Sequence, residues 1–190
     1  SEYYKIFHTS SVVSDNETPL TAVKTSKNSS MWNSVYSQVK SESDISLSAG
    51  NTGVLLVISR MILKTINGVS KPALAGLWPN FKGMNIVLDL GANIECDTKN
   101  LIDFAIMGSA FSKLVLRSKN PTVGILNVGV ESQKGNTIIH ESSKVLSNPN
   151  FPVNYVGFVE GNDIAEGKVD VIVTDGFSGN IAIKTAEGTA

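Results

Sequence analysis

The chain has 190 residues, 42% hydrophobic and 17% charged, with a formal net charge of −1. That is the length of one domain with enough apolar residues for a core, and it excludes collagenous, disulfide-stapled and disordered classes. No basic field is present to draw in nucleic acid, and the split of +2 over residues 1–94 and −3 over 95–190 is too mild for separate basic and acidic modules.

In chain order, residues 4–8 read as a strand, 29–40 as a helix and 45–48 as a second strand. Residues 52–67 place Val54, Leu55, Ile58, Met61, Ile62 and Ile66 on one helical stripe, with Gly68 as the stop. Strands are predicted at 73–78 and 86–90, joined by only Pro79-Asn80-Phe81-Lys82-Gly83. That link is too short for a parallel crossover, so a local antiparallel hairpin is expected there. Asp97 or Thr98 caps a helix to about Arg117, with Leu101, Ile102, Phe104, Ala105, Phe111 and Leu114 inward. A strand at 123–128, a helix at 136–146, strands at 153–159 and 169–174 and a last helix from about Ser178 complete the reading.

Ile86-Val87-Leu88 and Val171-Ile172-Val173 are continuously apolar, the pattern of strands buried on both faces. With strand and helix alternating, the expected fold is a mostly parallel, doubly wound α/β sheet, one domain over residues 1–190. Cys96 is the only cysteine, so no intrachain disulfide or Cys/His metal spacing exists, and a reducing cytoplasm is expected. No apolar run reaches the ~20 residues of a membrane span, and residues 1–30 are too polar for a secretory signal. The chain opens at Ser1 and stops inside a predicted helix, so both ends are expected to be fragment ends.

Ligands of such sheets sit beyond the carboxyl ends of the strands. Four loops in that position couple Gly to Asn: Gly50-Asn51-Thr52-Gly53, Gly91-Ala92-Asn93, Gly129 with Lys134-Gly135-Asn136, and Asp175-Gly176-Phe177-Ser178-Gly179-Asn180. Glycine lets backbone approach a ligand, Asn both donates and accepts, and three of the loops open a helix whose free N–H groups favour an anion. Any one alone is an ordinary turn; together on one edge they make a donor-rich pocket. Rossmann, Walker and nucleophile-elbow signatures are absent. Lys134 is the cation best placed to neutralise phosphate or a developing oxyanion, or else is simply solvated. Lys184 points to the same edge or to water. His8 ends a strand, His140 is read as surface, and Cys96 as a packed residue without an activating neighbour. Asp89 and Asp175 close strands, to orient a donor or to cap a turn.

The same loops resemble the PlsX-type phosphate acyltransferases. The resemblance runs through Lys27-Asn28-Ser29-Ser30-Met31, Ser48-Ala49-Gly50-Asn51-Thr52-Gly53, Leu88-Asp89-Leu90-Gly91-Ala92-Asn93 and Met107-Gly108-Ser109. It continues through Leu126-Asn127-Val128-Gly129, Lys134-Gly135-Asn136, Val159-Glu160-Gly161-Asn162-Asp163-Ile164 and Asp175 to Asn180, ending at Lys184-Thr185-Ala186-Glu187-Gly188. It implies a three-layer α/β/α fold like that of phosphate acetyltransferase and isopropylmalate dehydrogenase. It also implies acyl transfer from acyl carrier protein to inorganic phosphate for phospholipid synthesis, without metal or organic cofactor. The implied protein is a cytoplasmic homodimer, with peripheral membrane contact through segments this chain lacks. Lys134 and Asn180 are expected nearest the chemistry. Gly50, Asn51, Thr52, Gly53, Asn93, Gly135, Asn136, Asp175, Gly176 and Gly179 are expected to shape the phosphate and thioester pocket. The competing readings are a phosphate acetyl- or butyryltransferase using acyl-coenzyme A, and a non-catalytic fragment that binds phosphate or a partner.

Overall fold

A computed structural model describes residues 3–14 and 18–189. The chain separates into two compact units, Ser1–Gly68 and Val69–Ala190.

The first unit is helical: α1 (Pro19–Thr25), α2 (Ser30–Val39) and α3 (Thr52–Leu63). Ser29 caps α2, its hydroxyl accepting from the Trp32 N–H at 3.2 Å. The i, i+4 pairs Met31/Val35 and Val54/Ile58 bury against each other, with Leu55 and Ile62 beside them. This is the predicted stripe of α3, shortened. The helix stops at Leu63, where Lys64 turns to φ 66°, so Ile66 lies outside it, exposed. Helix α1 lies in the stretch read only as polar and Ser-rich.

The strands expected at 4–8 and 45–48 do not form. Neither pairs with any described residue, and Ile45 and Leu47 are 82% and 92% exposed. Side chains bind the second segment to α2 instead: the Ser46 hydroxyl donates to the Ser34 carbonyl at 2.6 Å, and the Gln38 amide donates to Ser46 at 2.7 Å. A β-rich sequence becomes a strand only where a neighbouring ladder takes its backbone.

The second unit is the α/β part. It runs β1 (Ala75–Asn80), β2 (Gly83–Leu88), α4 (Thr98–Val115), β3 (Thr122–Leu126), α5 (Thr137–Leu146), β4 (Asn154–Val159), α6 (Gly161–Glu166), β5 (Val171–Val173), α7 (Gly176–Thr189). The strand order is β1-β2-β5-β3-β4. The expected hairpin is present, with β1 antiparallel to β2 and Leu77 opposite Ile86. The other neighbours are parallel.

Alternation sorts the side chains into two cores. Ile86, Leu88, Val123, Ile125, Val171 and Val173 face Leu101, Phe104 and Ala105 of α4 and Leu146 of α5. Val87, Ile172 and Val159 face Ile164 of α6 and Ile183 of α7. The sheet therefore lies between two helix layers, the expected three-layer α/β/α arrangement. Asp97, not Thr98, caps α4: its carboxylate accepts from the Asn100 N–H at 2.8 Å while its own N–H donates to the Asn100 side chain at 3.1 Å. The last helix starts two residues early, at Gly176, because the Asp175 carboxylate accepts from the Ser178 N–H at 2.7 Å. Among the described residues no helix is long and apolar enough to cross a membrane.

The short helix α6 was not foreseen. Asp163, buried, accepts from the Glu160 N–H at 2.9 Å and from the Lys168 ammonium at 3.0 Å. Burial pushes its carboxyl up, but these two donors outweigh it and hold the group below the ordinary carboxylate range. A depressed pKa contributes stability above the unfolded value of 3.8 and loses it as pH falls through the lower folded value. Asp163→Asn removes that contribution. We expect it to cost roughly 2 kcal/mol at neutral pH and to flatten the acid limb of a stability–pH curve measured by urea unfolding. Equal acid slopes for the two proteins would show that Asp163 carries no linked proton.

Candidate functional site

Because β2, β5, β3 and β4 are parallel, their carboxyl ends share one edge. Three of the four predicted loops leave from that edge, after β2, β3 and β5. The fourth belongs to the first unit. It follows coil rather than a strand and opens α3, with the Asn51 side chain accepting from the Val54 N–H at 3.1 Å. Gly50 precedes this cap, and Thr52 and Gly53 form the first turn.

The loop after β2 is organised by Asp89, which is fully buried. Its carboxylate accepts five hydrogen bonds of 2.7–3.1 Å: from the N–H groups of Leu74, Gly91, Ala92 and Asn93 and from the Asn93 side-chain amide. The same Asn93 amide donates to the Pro72 carbonyl at 2.7 Å. Both of its hydrogens are thus used inside the loop, so in this arrangement Asn93 offers a ligand its carbonyl oxygen rather than a donor.

The loop after β5 sits directly on this one. The Gly176 N–H donates to the Asn93 carbonyl at 2.8 Å, and a Cβ on Gly176 would meet that carbonyl oxygen at 2.5 Å. A Cβ on Gly179 would run into the Asp89 carbonyl oxygen. The Asn180 side chain, on the exposed side of α7, lies over Gly91. Gly176 and Gly179 therefore serve backbone-to-backbone packing that sets where Asn180 stands. Gly179→Ala must push two loops apart. We expect a loss of about 2 kcal/mol in chemical denaturation, with the Asn180 amide displaced; an unaltered midpoint would show that the loops part freely.

The loop after β3 has its own clamp. Buried Asn127 donates both amide hydrogens, to the Gly129 carbonyl at 3.0 Å and the Lys134 carbonyl at 2.9 Å. Gly135, at φ 103°, presses against this side chain, and a Cβ there would meet the Asn127 carbonyl oxygen at 2.5 Å. The clamp leaves Lys134 exposed at the start of α5, where Asn136 caps the helix by accepting from the Ile139 N–H at 3.0 Å. Asn127 was quoted in the motif but not picked as a functional residue. The available signal was an Asn directly after a buried strand and before a Gly-rich loop.

The remaining candidates separate clearly. The Lys184 ammonium pairs with Glu187 at 2.6 Å on an exposed helix face. His140 is half-buried, edge-on to Phe158 at 5.9 Å, rather than on the surface. His8 is exposed coil in the first unit. Burial pushes the Cys96 thiol up, as suits a packed residue rather than a nucleophile. Among the described residues no group of three or more His, Cys, Asp or Glu could hold a metal.

Two helix N-termini, an exposed lysine and close-packed glycines stand on the carboxyl edge of the parallel sheet of a three-layer α/β/α protein, the edge where such sheets take their ligands. The chain belongs to the family described as fatty acid synthesis protein, whose model matches residues 1–190. It is 51% identical over 188 residues to the phosphate acyltransferase of Pelagibacter ubique, covering 98% of this chain and 56% of that protein. It is 48% identical over 185 residues to the phosphate acyltransferase of Rhodospirillum rubrum, covering 97% and 53%. Among solved structures it superposes on the EutD phosphotransacetylase from Staphylococcus aureus with a TM-score of 0.65 at 20% identity, over 92% of this chain and 59% of that one. A phosphotransacetylase from Streptococcus pyogenes gives a TM-score of 0.65 at 17% identity, over 83% and 54%. These likenesses carry the fold. The chain spans about half the length of the curated relatives it matches.

Proposed function

We propose that the protein transfers a fatty acyl group from acyl carrier protein to inorganic phosphate, supplying acyl phosphate for phospholipid synthesis. The observation that carries this reading is the run of relatives named phosphate acyltransferase, 46–51% identical across nearly the whole chain. The reading includes a cytoplasmic homodimer, with any membrane contact made by segments outside this chain.

The chemistry asks little of the protein's own nucleophiles. A phosphate oxygen attacks the thioester carbonyl carbon; the tetrahedral oxyanion collapses, the C–S bond breaks, and the carrier thiolate leaves to take a proton from water. The protein must hold one anion against a carbonyl and stabilise a second negative charge as it forms. In this reading the Lys134 ammonium and the free N–H groups opening α5, behind Gly135 and Asn136, hold the phosphate. Asn180 faces the thioester oxygen from the neighbouring loop. Asp175, Gly176 and Gly179 place Asn180, and Asn93 ties the β2 loop beneath it.

The test is release of free carrier protein from a long-chain acyl–carrier protein, with and without phosphate, beside the same assay with acetyl-coenzyme A. Phosphate-dependent release from the carrier substrate alone is the expected result. Turnover of acetyl-coenzyme A in its place would move the donor to coenzyme A. Phosphate binding without turnover of either donor would reduce the protein to a binding module.

A further inference from the structure

Beside the Asn136 cap lies a cleft of about 490 Å³ that no step above uses. It runs between the starts of α5 and α7. Its wall is apolar: Ile94, Leu101, Ile138, Ile139 and Phe177. Ile94 and Phe177 are each 57% exposed, so two large apolar side chains stand in water at the opening. Its polar members are of two kinds. Asn136 and Asp175 are the caps of α5 and α7, with their oxygens engaged by helix N–H groups. Glu95 and Asp175 bring carboxylates to the rim, and one cation stands beside them, the Lys71 ammonium, which donates to the Glu95 carbonyl at 3.0 Å. The Cys96 thiol, kept neutral by burial, completes the lining.

This combination selects among apolar ligands. An apolar wall takes hydrocarbon. With two carboxylates against the single Lys71 ammonium the rim keeps a negative balance, so a free fatty acid carboxylate is disfavoured there while an uncharged chain is not. Among the reactants of the proposed reaction, the acyl chain next to the thioester is the neutral, apolar portion. The cleft also meets the catalytic loop at Asn136, two residues from Lys134.

We propose that this cleft seats the acyl chain, including the methylenes that a short donor lacks, and so sets the enzyme's preference for long over short acyl donors. The proposal rests on the acyl-transfer reading for its substrate, but the cleft can be probed without turnover. Cys96 lies in the lining and reports occupancy. The experiment measures alkylation of Cys96 by N-ethylmaleimide in the whole protein at mildly alkaline pH, read by mass spectrometry of the Cys96 peptide. The probes are two neutral, unreactive ligands, S-decyl pantetheine and S-ethyl pantetheine. The decyl thioether is expected to slow alkylation roughly tenfold at a concentration where the ethyl one does not. In parallel, Phe177→Ala is expected to lower the ratio of kcat/KM for decanoyl over butanoyl carrier protein by about tenfold, with Phe177→Leu restoring most of it.

Equal protection by both thioethers would assign the cleft to the pantetheine arm and overturn the proposal. So would no protection by the decyl compound, or an unchanged chain-length ratio in Phe177→Ala. Protection by the decyl compound, in a protein that turns over no thioester with phosphate, would sustain the cleft as an acyl seat. That outcome would remove the acyl-transfer reading instead.

Discussion

Lys134→Ala is expected to lower kcat/KM for phosphate by roughly 10²–10³, about 3–4 kcal/mol, the effect of removing the cation paired with a bound anion. The same substitution should leave stability within about 0.5 kcal/mol, because the Lys134 side chain is exposed and makes no ion pair among the described residues. The separation of the two effects is the point of the test. What the fold needs from this residue is its backbone carbonyl, held by Asn127 at 2.9 Å, and alanine keeps that carbonyl. Steady-state kinetics with varied phosphate should show the loss mainly as a raised KM for phosphate, since a cation that holds the bound phosphate contributes to ground-state binding. Lys134→Arg keeps the charge on a planar fork and should recover only part of the rate. Full turnover by Lys134→Ala with a long-chain carrier substrate would make Lys134 a bystander and move the phosphate site elsewhere on the edge.

The second unit was largely legible because its signals are local. Short continuous apolar runs with turn residues close by, such as Ile86-Val87-Leu88, fit strands covered on both faces, and the five-residue link after Trp78 forces a hairpin. The stripe from Leu101 through Phe104 and Ala105 is a helix face whatever it packs on. Residues 45–48 show the limit. Their alternation is as strand-like as that of β1, but a strand is made by its neighbour, and α2 side chains took the segment instead. What the loop residues do within the fold was not legible. Gly-Asn loops were expected to bring backbone to a ligand, yet Gly176 and Gly179 bring backbone to backbone, across a sequence separation of more than 80 residues. Asn93 carries a donor that a sequence reading assigns to phosphate, whereas the fold uses it to close its own loop. Asn127 reads as a turn residue and proves to be the clamp on the loop that carries Lys134. Hydrogen bonds between chemically unremarkable neighbours decide these assignments, and no periodicity encodes them.

The largest stability effect belongs to a residue at the root of that edge. Asp89 is fully buried, pairs with no cation among the described residues, and is held by five N–H donors. Asp89→Ala takes the acceptor from those donors in a loop whose residues are half-buried. Each unpartnered buried donor costs about 1–3 kcal/mol, though relaxation of the loop lets some find other acceptors. A net loss of roughly 4 kcal/mol is expected. Asp89→Asn discriminates between shape and charge. It keeps the volume but turns one acceptor oxygen into a donor that faces N–H groups, so it should recover little of the loss. Because Gly179 packs on this loop and Asn180 lies over its Gly91, the same variants should displace Asn180. They should depress turnover beyond what the folded fraction explains, whereas Asp163→Asn, on the short helix after β4, should lower stability with turnover per folded molecule unchanged. Urea unfolding and a rate normalised to folded protein would read both quantities. An Asp89→Ala protein that unfolds at the parent's midpoint would show that the five donors find water in the folded state and that the loop stands without its carboxylate.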